Sequence, residues 1–204
     1  MAKRKKLRKS LSQGRKPENK NPNTTFIMFC EGDTEVKYFN SLNNHLKDSN
    51  IVITTKKSNK TDCIGIHKYA ENYKNSNNNE FDYYFLVFDK DYNSFENIEK
   101  VMSKKEYKIL FSNPCFELWI ILHYKLIDKK TDCKEIIKMI KKFIPNYSKG
   151  QNDLFTKLKD KLTIAIENNN KLLDNHCKLY NHKNFIKLNP YTNIFELYNI
   201  IKKA

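Results

Sequence analysis

The chain has 204 residues, with 38 Lys and Arg against 23 Asp and Glu, a formal net charge of +15. That length holds one domain with a buried core and at most a small appendage. No apolar run nears the roughly 20 residues of a membrane span, and the basic start lacks the apolar stretch of a signal peptide, so the sequence reads as a soluble, cytoplasmic protein.

Residues 1–20 hold nine basic side chains, Lys3, Arg4, Lys5, Lys6, Arg8, Lys9, Arg15, Lys16 and Lys20, against the single acid Glu18. Charge clustered in this way attracts a phosphate backbone without sequence preference. The competing reading is a solvated, disordered leader. Gly14, Pro17 and Pro22 oppose a helix there. The expected organisation is a basic arm over 1–23, an α/β core over 24–128, and a helical region over 129–204 packed on that core.

The first apolar run, Phe26-Ile27-Met28-Phe29-Cys30, predicts a buried strand. It ends in Glu31-Gly32-Asp33-Thr34-Glu35, where Gly32 permits a tight turn and Asp33 or Thr34 can cap a helix running to about residue 46. Glu31 falls at the strand end and Glu35 in the first helical turn, where pairing with the helix dipole competes with a ligand role. Ile51-Val52-Ile53-Thr54-Thr55 predicts a second strand nearer an edge, followed by a polar loop and a helix over 64–74. His67 reads there as a helix-face residue rather than a ligand.

The third strand is the unbroken run from Tyr84 to Phe88, followed by Asp89 and Asp91. A helix over 94–104 comes next. Residues 107–112 predict a fourth strand, and Pro114 can end it and begin a helix through His123. That helix is apolar almost all round, so Glu117 within it is costly unless paired or bound to metal. From Thr131 onward the pattern is helical over 133–143 and 153–166, then less regular and rich in Asn. Lys149-Gly150 lies in a loop, and Asn189-Pro190-Tyr191-Thr192 is expected to open a last helix over 194–203.

Strand–helix repeated four times predicts a mostly parallel four-stranded sheet flanked by helices. Glu31, Asp89, Asp91 and Glu117 then fall at or just past strand carboxyl ends, the edge where open α/β sheets place ligands. Clustered carboxylates repel one another, and hard oxygen donors suit Mg²⁺ or Mn²⁺. The alternative is that Asp91 caps the next turn and Asp89 faces solvent. The five cysteines (30, 63, 115, 133 and 177) are odd in number and form no Cys-x-x-Cys, so neither a zinc site nor a disulfide framework is expected, and Cys30 and Cys115 read as small core residues in a reducing compartment.

The layout strand-Glu-Gly then strand-Asp-x-Asp resembles the Toprim domain of topoisomerases, primases and a class of nucleases. More narrowly, Cys30-Glu31-Gly32-Asp33-Thr34-Glu35 with Tyr38-Phe39, Phe88-Asp89-Lys90-Asp91, and Ser112-Asn113-Pro114-Cys115-Phe116-Glu117-Leu118-Trp119 with His123 resemble the RloB-like and AbiLii family. Arg15-Lys16-Pro17 and Asn189-Pro190-Tyr191-Thr192 are similar to it as well. The resemblance implies a Toprim-like Rossmannoid fold and a Mg²⁺- or Mn²⁺-dependent nuclease of bacterial anti-phage defence, with an AAA- or ABC-type ATPase encoded alongside. It implies Glu31 as metal ligand or general acid/base, Asp89 and Asp91 as the metal-binding pair, and Glu35 and Glu117 as further ligands. Lys149 is the choice for the lysine that faces the developing phosphate charge.

Two functions remain open on sequence. One is two-metal phosphodiester hydrolysis of DNA or RNA. The other is a non-catalytic nucleic-acid-binding or sensor subunit of a defence complex. A homo-oligomer is compatible with either. A topoisomerase role lacks a domain for a tyrosine nucleophile, and a primase role lacks a zinc module. Tyr92, beside the acids, can stack on a base or sit in the core or rim.

Overall fold

The computed structural model describes residues 23–91, 93–179 and 185–204. The basic arm, with Lys3, Arg4, Lys5, Lys6, Arg8, Lys9, Arg15 and Lys16, and the stacking candidate Tyr92 lie outside the described residues.

The four apolar runs form strands β1 (Thr24–Cys30), β2 (Ile51–Lys57), β3 (Tyr83–Asp89) and β4 (Lys108–Asn113). All are paired in parallel, in the order β2-β1-β3-β4. β1, β3 and β4 are buried on both faces over most of their length and read as continuous apolar runs, whereas edge strand β2 buries Ile51 and Ile53 and exposes Val52 between them. The period of two still sorts their side chains. Phe26, Met28, Cys30, Phe85 and Val87 pack on one face, Ile27, Phe29, Leu86 and Phe88 on the other.

The sheet has a fifth strand that the sequence reading did not contain. Tyr191–Thr192 forms β5, antiparallel to β4, with Thr192 opposite Ser112 and Tyr191 opposite Asn113. Residues 189–192 therefore do not open the last helix. Their conformation is set by the free edge of β4, whose backbone groups need partners. Asn193 accepts from the Phe111 N–H at 2.7 Å and donates to the Ile109 carbonyl at 2.9 Å, and the Ser112 and Thr192 hydroxyls pair at 2.9 Å.

Helices α1 (Asp33–His45), α2 (Cys63–Ser76) and α3 (Phe95–Met102) follow the first three strands. Asp62 and Ser94 cap α2 and α3 through their side chains, but the N-cap of α1 is Gly32 and no side chain caps it, so neither Asp33 nor Thr34 does. α2 and α3 cover one sheet face. The other face carries α1, α4 (Glu117–Leu122), α5 (Cys133–Ile140), α6 (Leu154–Leu158), α7 (Leu162–Leu179) and α8 (Phe195–Ile201). At its centre, fully buried Trp119 donates its indole N–H to the Tyr38 hydroxyl at 2.8 Å. Truncating such a side chain to Ala costs about 3–5 kcal/mol.

Three further expectations change. α4 begins at Glu117, three residues after Pro114, with Phe116 as its N-cap, so the proline does not open the helix directly. α7 continues through the Asn-rich stretch that looked irregular. Cys115 and Cys133, which carried no pairing signal in sequence, form a disulfide across 18 residues. Among the described residues, no helix is long and apolar enough to cross a membrane.

Candidate metal centre

β1 and β3 are neighbours in parallel register, so their carboxyl ends emerge side by side. The Glu31 N–H continues the ladder to the Val87 carbonyl at 3.0 Å, and its carboxylate accepts the Asp89 N–H at 3.1 Å. The chain then turns sharply. Asp91 has φ of +23°, near the left-handed region that Asp tolerates better than most residues. Asn93 braces this turn by donating to the Asp89 carbonyl at 2.9 Å and accepting the Cys63 N–H at 2.8 Å.

α1 brings Glu35 to the same place. Gly32 makes room for it, since a Cβ at position 32 would stand 2.7 Å from Glu35 Oε2. α4, which follows β4, delivers Glu117. The loop between α5 and α6 closes the site: Tyr147 donates its hydroxyl to Glu117 Oε1 at 3.0 Å, Lys149 lies 3.5 Å from Glu117 Oε2, and the Gly150 N–H donates to the Thr34 hydroxyl at 3.0 Å. Gly150 has φ of +70° and packs so close to Asp33 that a Cβ would stand 3.1 Å from the Asp33 Cβ.

All six residues that the sequence singled out for the site, Glu31, Glu35, Asp89, Asp91, Glu117 and Lys149, line one cavity of about 220 Å³, with Gly32, Asp33 and Thr34. Six of the lining side chains are carboxylates and one is an ammonium. Asp33 is tied outward to Lys57 at 2.6 Å. Glu35, Asp89 and Glu117 are buried.

The electrostatics follow from that crowding. Burial pushes the Glu31 carboxyl up to about 7, with the Asp89 N–H opposing the rise and Asp91 adding to it. Burial likewise lifts Glu35 to about 7, its own N–H opposing and Glu117 and Glu31 adding. Asp89 is raised well above its ordinary value by burial and by Glu35, Glu31 and Glu117 together. For Lys149 burial favours the neutral amine, but the carboxylates of Glu117 and Asp89 outweigh it and the net shift is upward.

Clustered buried carboxylates need compensation beyond one lysine. Glu35 Oε2 is buried with no hydrogen-bond partner among the described residues. The donors are oxygen only, the set preferred by Mg²⁺ and Mn²⁺. On both counts the donor chemistry suits a hard divalent cation, and among the described residues the oxygens of these carboxylates stand further apart than the 4.8 Å within which a group of three would share one ion. The cysteine nearest the acids on β1 fits nothing catalytic, because burial and then Glu35 push the Cys30 thiol up and it is fully enclosed. His67 and His123 lie outside this cavity. His67 packs its ring on Tyr107 with Glu71 at 3.3 Å, and His123 is fully buried against the Trp119 carbonyl.

Tyr147, Asn93 and Gly150 were not singled out from sequence as site residues. Nothing in the spacing linked residues 147–150 to β1 or α4. The adjacency of Tyr147 to Lys149 was the only local signal.

Against known families, residues 26–201 match the family described as RloB-like protein. The chain belongs to the RloB-like family. In this RloB-like chain the matched span contains all six of the cavity residues named above, and β1 through α8 fall almost wholly inside it. No curated protein and no solved structure matches the chain.

Proposed function

We propose that this RloB-like protein is a Mg²⁺- or Mn²⁺-dependent nuclease that hydrolyses phosphodiester bonds in nucleic acid. The observation that carries the reading is Glu35 Oε2, a buried carboxylate oxygen without a hydrogen-bond partner among the described residues, in a cavity shared by five other carboxylates. A charge left in that state is costly unless a proton or a cation meets it, and above neutral pH the cation is the stronger partner. Family membership supports an association with bacterial defence, and the Toprim resemblance of Glu31, Asp89 and Asp91 supports phosphoryl chemistry.

Glu31, Asp89 and Asp91 would hold one cation, and Glu35 with Glu117 a second. When bound, such ions supply charge neutralisation at the phosphate and a more acidic water. The chain's own residues do the rest. Before a cation binds, Glu31, with a carboxyl near 7, can hold a proton close to neutral pH and release it when the cation takes its place. Lys149 reaches the cavity with its side chain half exposed and places a fixed positive charge where a phosphate oxygen would lie. Tyr147 holds the orientation of Glu117 through its hydroxyl. The basic arm supplies sequence-independent affinity for the backbone, and an ATPase encoded alongside would couple cleavage to a trigger.

The test is cleavage of plasmid DNA and tRNA by purified wild type and Asp89→Ala/Asp91→Ala protein with Mg²⁺ or Mn²⁺. Cleavage that is lost in the double variant supports the reading. Equal cleavage by both proteins sinks it. Metal binding by the wild type without any cleavage moves the protein to the second class, a binding or sensor subunit that acts only with its partner.

A further inference from the structure

The Cys115–Cys133 pair stands against the acidic cavity. Cys115, two residues before Glu117, is buried, whereas Cys133, the first residue of α5, is partly exposed. Cys133 lines a second cavity of about 380 Å³ with Lys90, Asp91, Asn113 and Pro114. Asp91 lines both cavities. The Cys133 sulfur lies 3.7 Å from Glu117 Oε2, the same oxygen that faces Lys149. The two sulfurs and a Glu117 oxygen all fall within 4.8 Å of one another.

We propose that Cys115 and Cys133 are a reversible oxidation site coupled to the carboxylate centre, exchanging with small thiols and disulfides through the second cavity and changing how Glu117 is held. Its consequence for metal rests on the nuclease reading. Its coupling to Glu117 does not.

A small thiol of the glutathione class loses its proton, and its thiolate attacks the reachable sulfur of Cys133. The Cys115–Cys133 bond breaks and Cys115 leaves as a thiolate, which takes up a proton. A second small thiol attacks the outer sulfur of the mixed disulfide. Cys133 leaves, takes up a proton, and a small-molecule disulfide is released. Two electrons and two protons have then passed from two small thiols to the pair.

A Cys133 thiol can donate its S–H to Glu117 Oε2, and a disulfide sulfur cannot. The Glu117 carboxylate therefore favours the dithiol. Lys149 and a cation compete for the same oxygen, so each favours the disulfide. By reciprocity, reduction weakens cation binding at Glu117 by the factor with which the cation favours oxidation.

The experiment equilibrates the full chain in buffers of fixed reduced-to-oxidised glutathione ratio, quenches by alkylation, and quantifies the Cys115–Cys133 peptide pair by mass. It compares wild type, Cys133→Ser, Glu117→Gln and Lys149→Ala, with and without Mg²⁺, which thiols bind poorly. Expected is one disulfide, absent in Cys133→Ser. The disulfide-to-dithiol ratio should rise on the order of tenfold in Glu117→Gln, the worth of a hydrogen bond to a charged acceptor. It should fall in Lys149→Ala, whose exposed side chain makes that variant the control for folding. Mg²⁺ should raise the ratio in wild type and not in Glu117→Gln. Cysteines that stay free at every buffer ratio, a ratio unmoved in both Glu117→Gln and Lys149→Ala, or a Mg²⁺ shift toward the dithiol would each overturn the proposal. If only the nuclease reading fails, Mg²⁺ changes nothing while both variant shifts persist.

Discussion

Glu35 stands where a side chain at position 32 would have to begin: its Oε2 is 2.7 Å from the Cβ that Gly32 lacks. The backbone at Gly32 is extended, φ −124°, so any residue could adopt it. What the glycine supplies is space. Because the obstructing atom ends a flexible side chain, Gly32→Ala should fold with a melting temperature close to wild type. It should also displace the Glu35 carboxylate and weaken Mn²⁺ binding about tenfold, on the order of one ligand's contribution. Calorimetry beside a thermal melt separates the two effects, and unchanged affinity would show that Glu35 is not a ligand.

Tyr147 is the strongest direct link from the α5–α6 loop to Glu117. Tyr147→Phe removes one hydroxyl and leaves a buried carboxylate oxygen without its donor. A loss of about 1–3 kcal/mol is expected, seen as a lower urea midpoint at unchanged slope. A midpoint equal to wild type would mean that Glu117 is held by other contacts.

The pH dependence has a definite sign. Glu31 and Glu35 titrate near 7 in the folded chain, against 4.5 for an ordinary glutamate. Their folded values are raised, so the folded state binds more protons than the unfolded state between about pH 4.5 and 7. The stability they contribute is fully present below 4.5 and is lost as pH rises through 7. The metal-free protein should therefore melt lower at pH 8 than at pH 6, and Mg²⁺ should raise the pH 8 value more. Cation binding at pH 6 should release protons, which calorimetry in buffers of different ionisation heat detects. A metal-free melt that rises from pH 6 to pH 8 would contradict this.

Asn193 serves both the Phe111 N–H and the Ile109 carbonyl of β4 with one side chain. Asn193→Ala leaves two strand-edge groups unpaired and should cost about 2–3 kcal/mol. Protection of the Phe111 amide in hydrogen exchange should fall with it. Retained protection would mean that water or a shifted β5 replaces the side chain.

What the sequence made readable and what it hid divide along the same physical line. β1, β3 and β4 are plain because burial on both faces demands apolar runs, edge strand β2 because Ile51 and Ile53 alternate with an exposed Val52, and Glu31, Asp89 and Asp91 because they fall at the ends of β1 and β3. β5 is two residues long and owes its conformation to the edge of β4, a partner some 80 residues away. α7 was disguised by its own buried stripe. Ala165, Asn169, Leu172 and His176 recur at helical spacing, but two of the four are polar, so the apolar period fails there. The approach of Tyr147 and Lys149 to Glu117, and of Cys133 to Cys115, depends on how the C-terminal helices fold back over the sheet, and no local spacing encodes it.

If the carboxylates at the ends of β1 and β3 and in the first turns of α1 and α4 hold a divalent cation, Mn²⁺ titrated calorimetrically at pH 7.5 should bind wild type saturably. Binding to the Asp89→Ala/Asp91→Ala protein should be abolished or weakened by about a hundredfold or more. No binding to wild type, or equal binding to both proteins, would show that these carboxylates hold no cation.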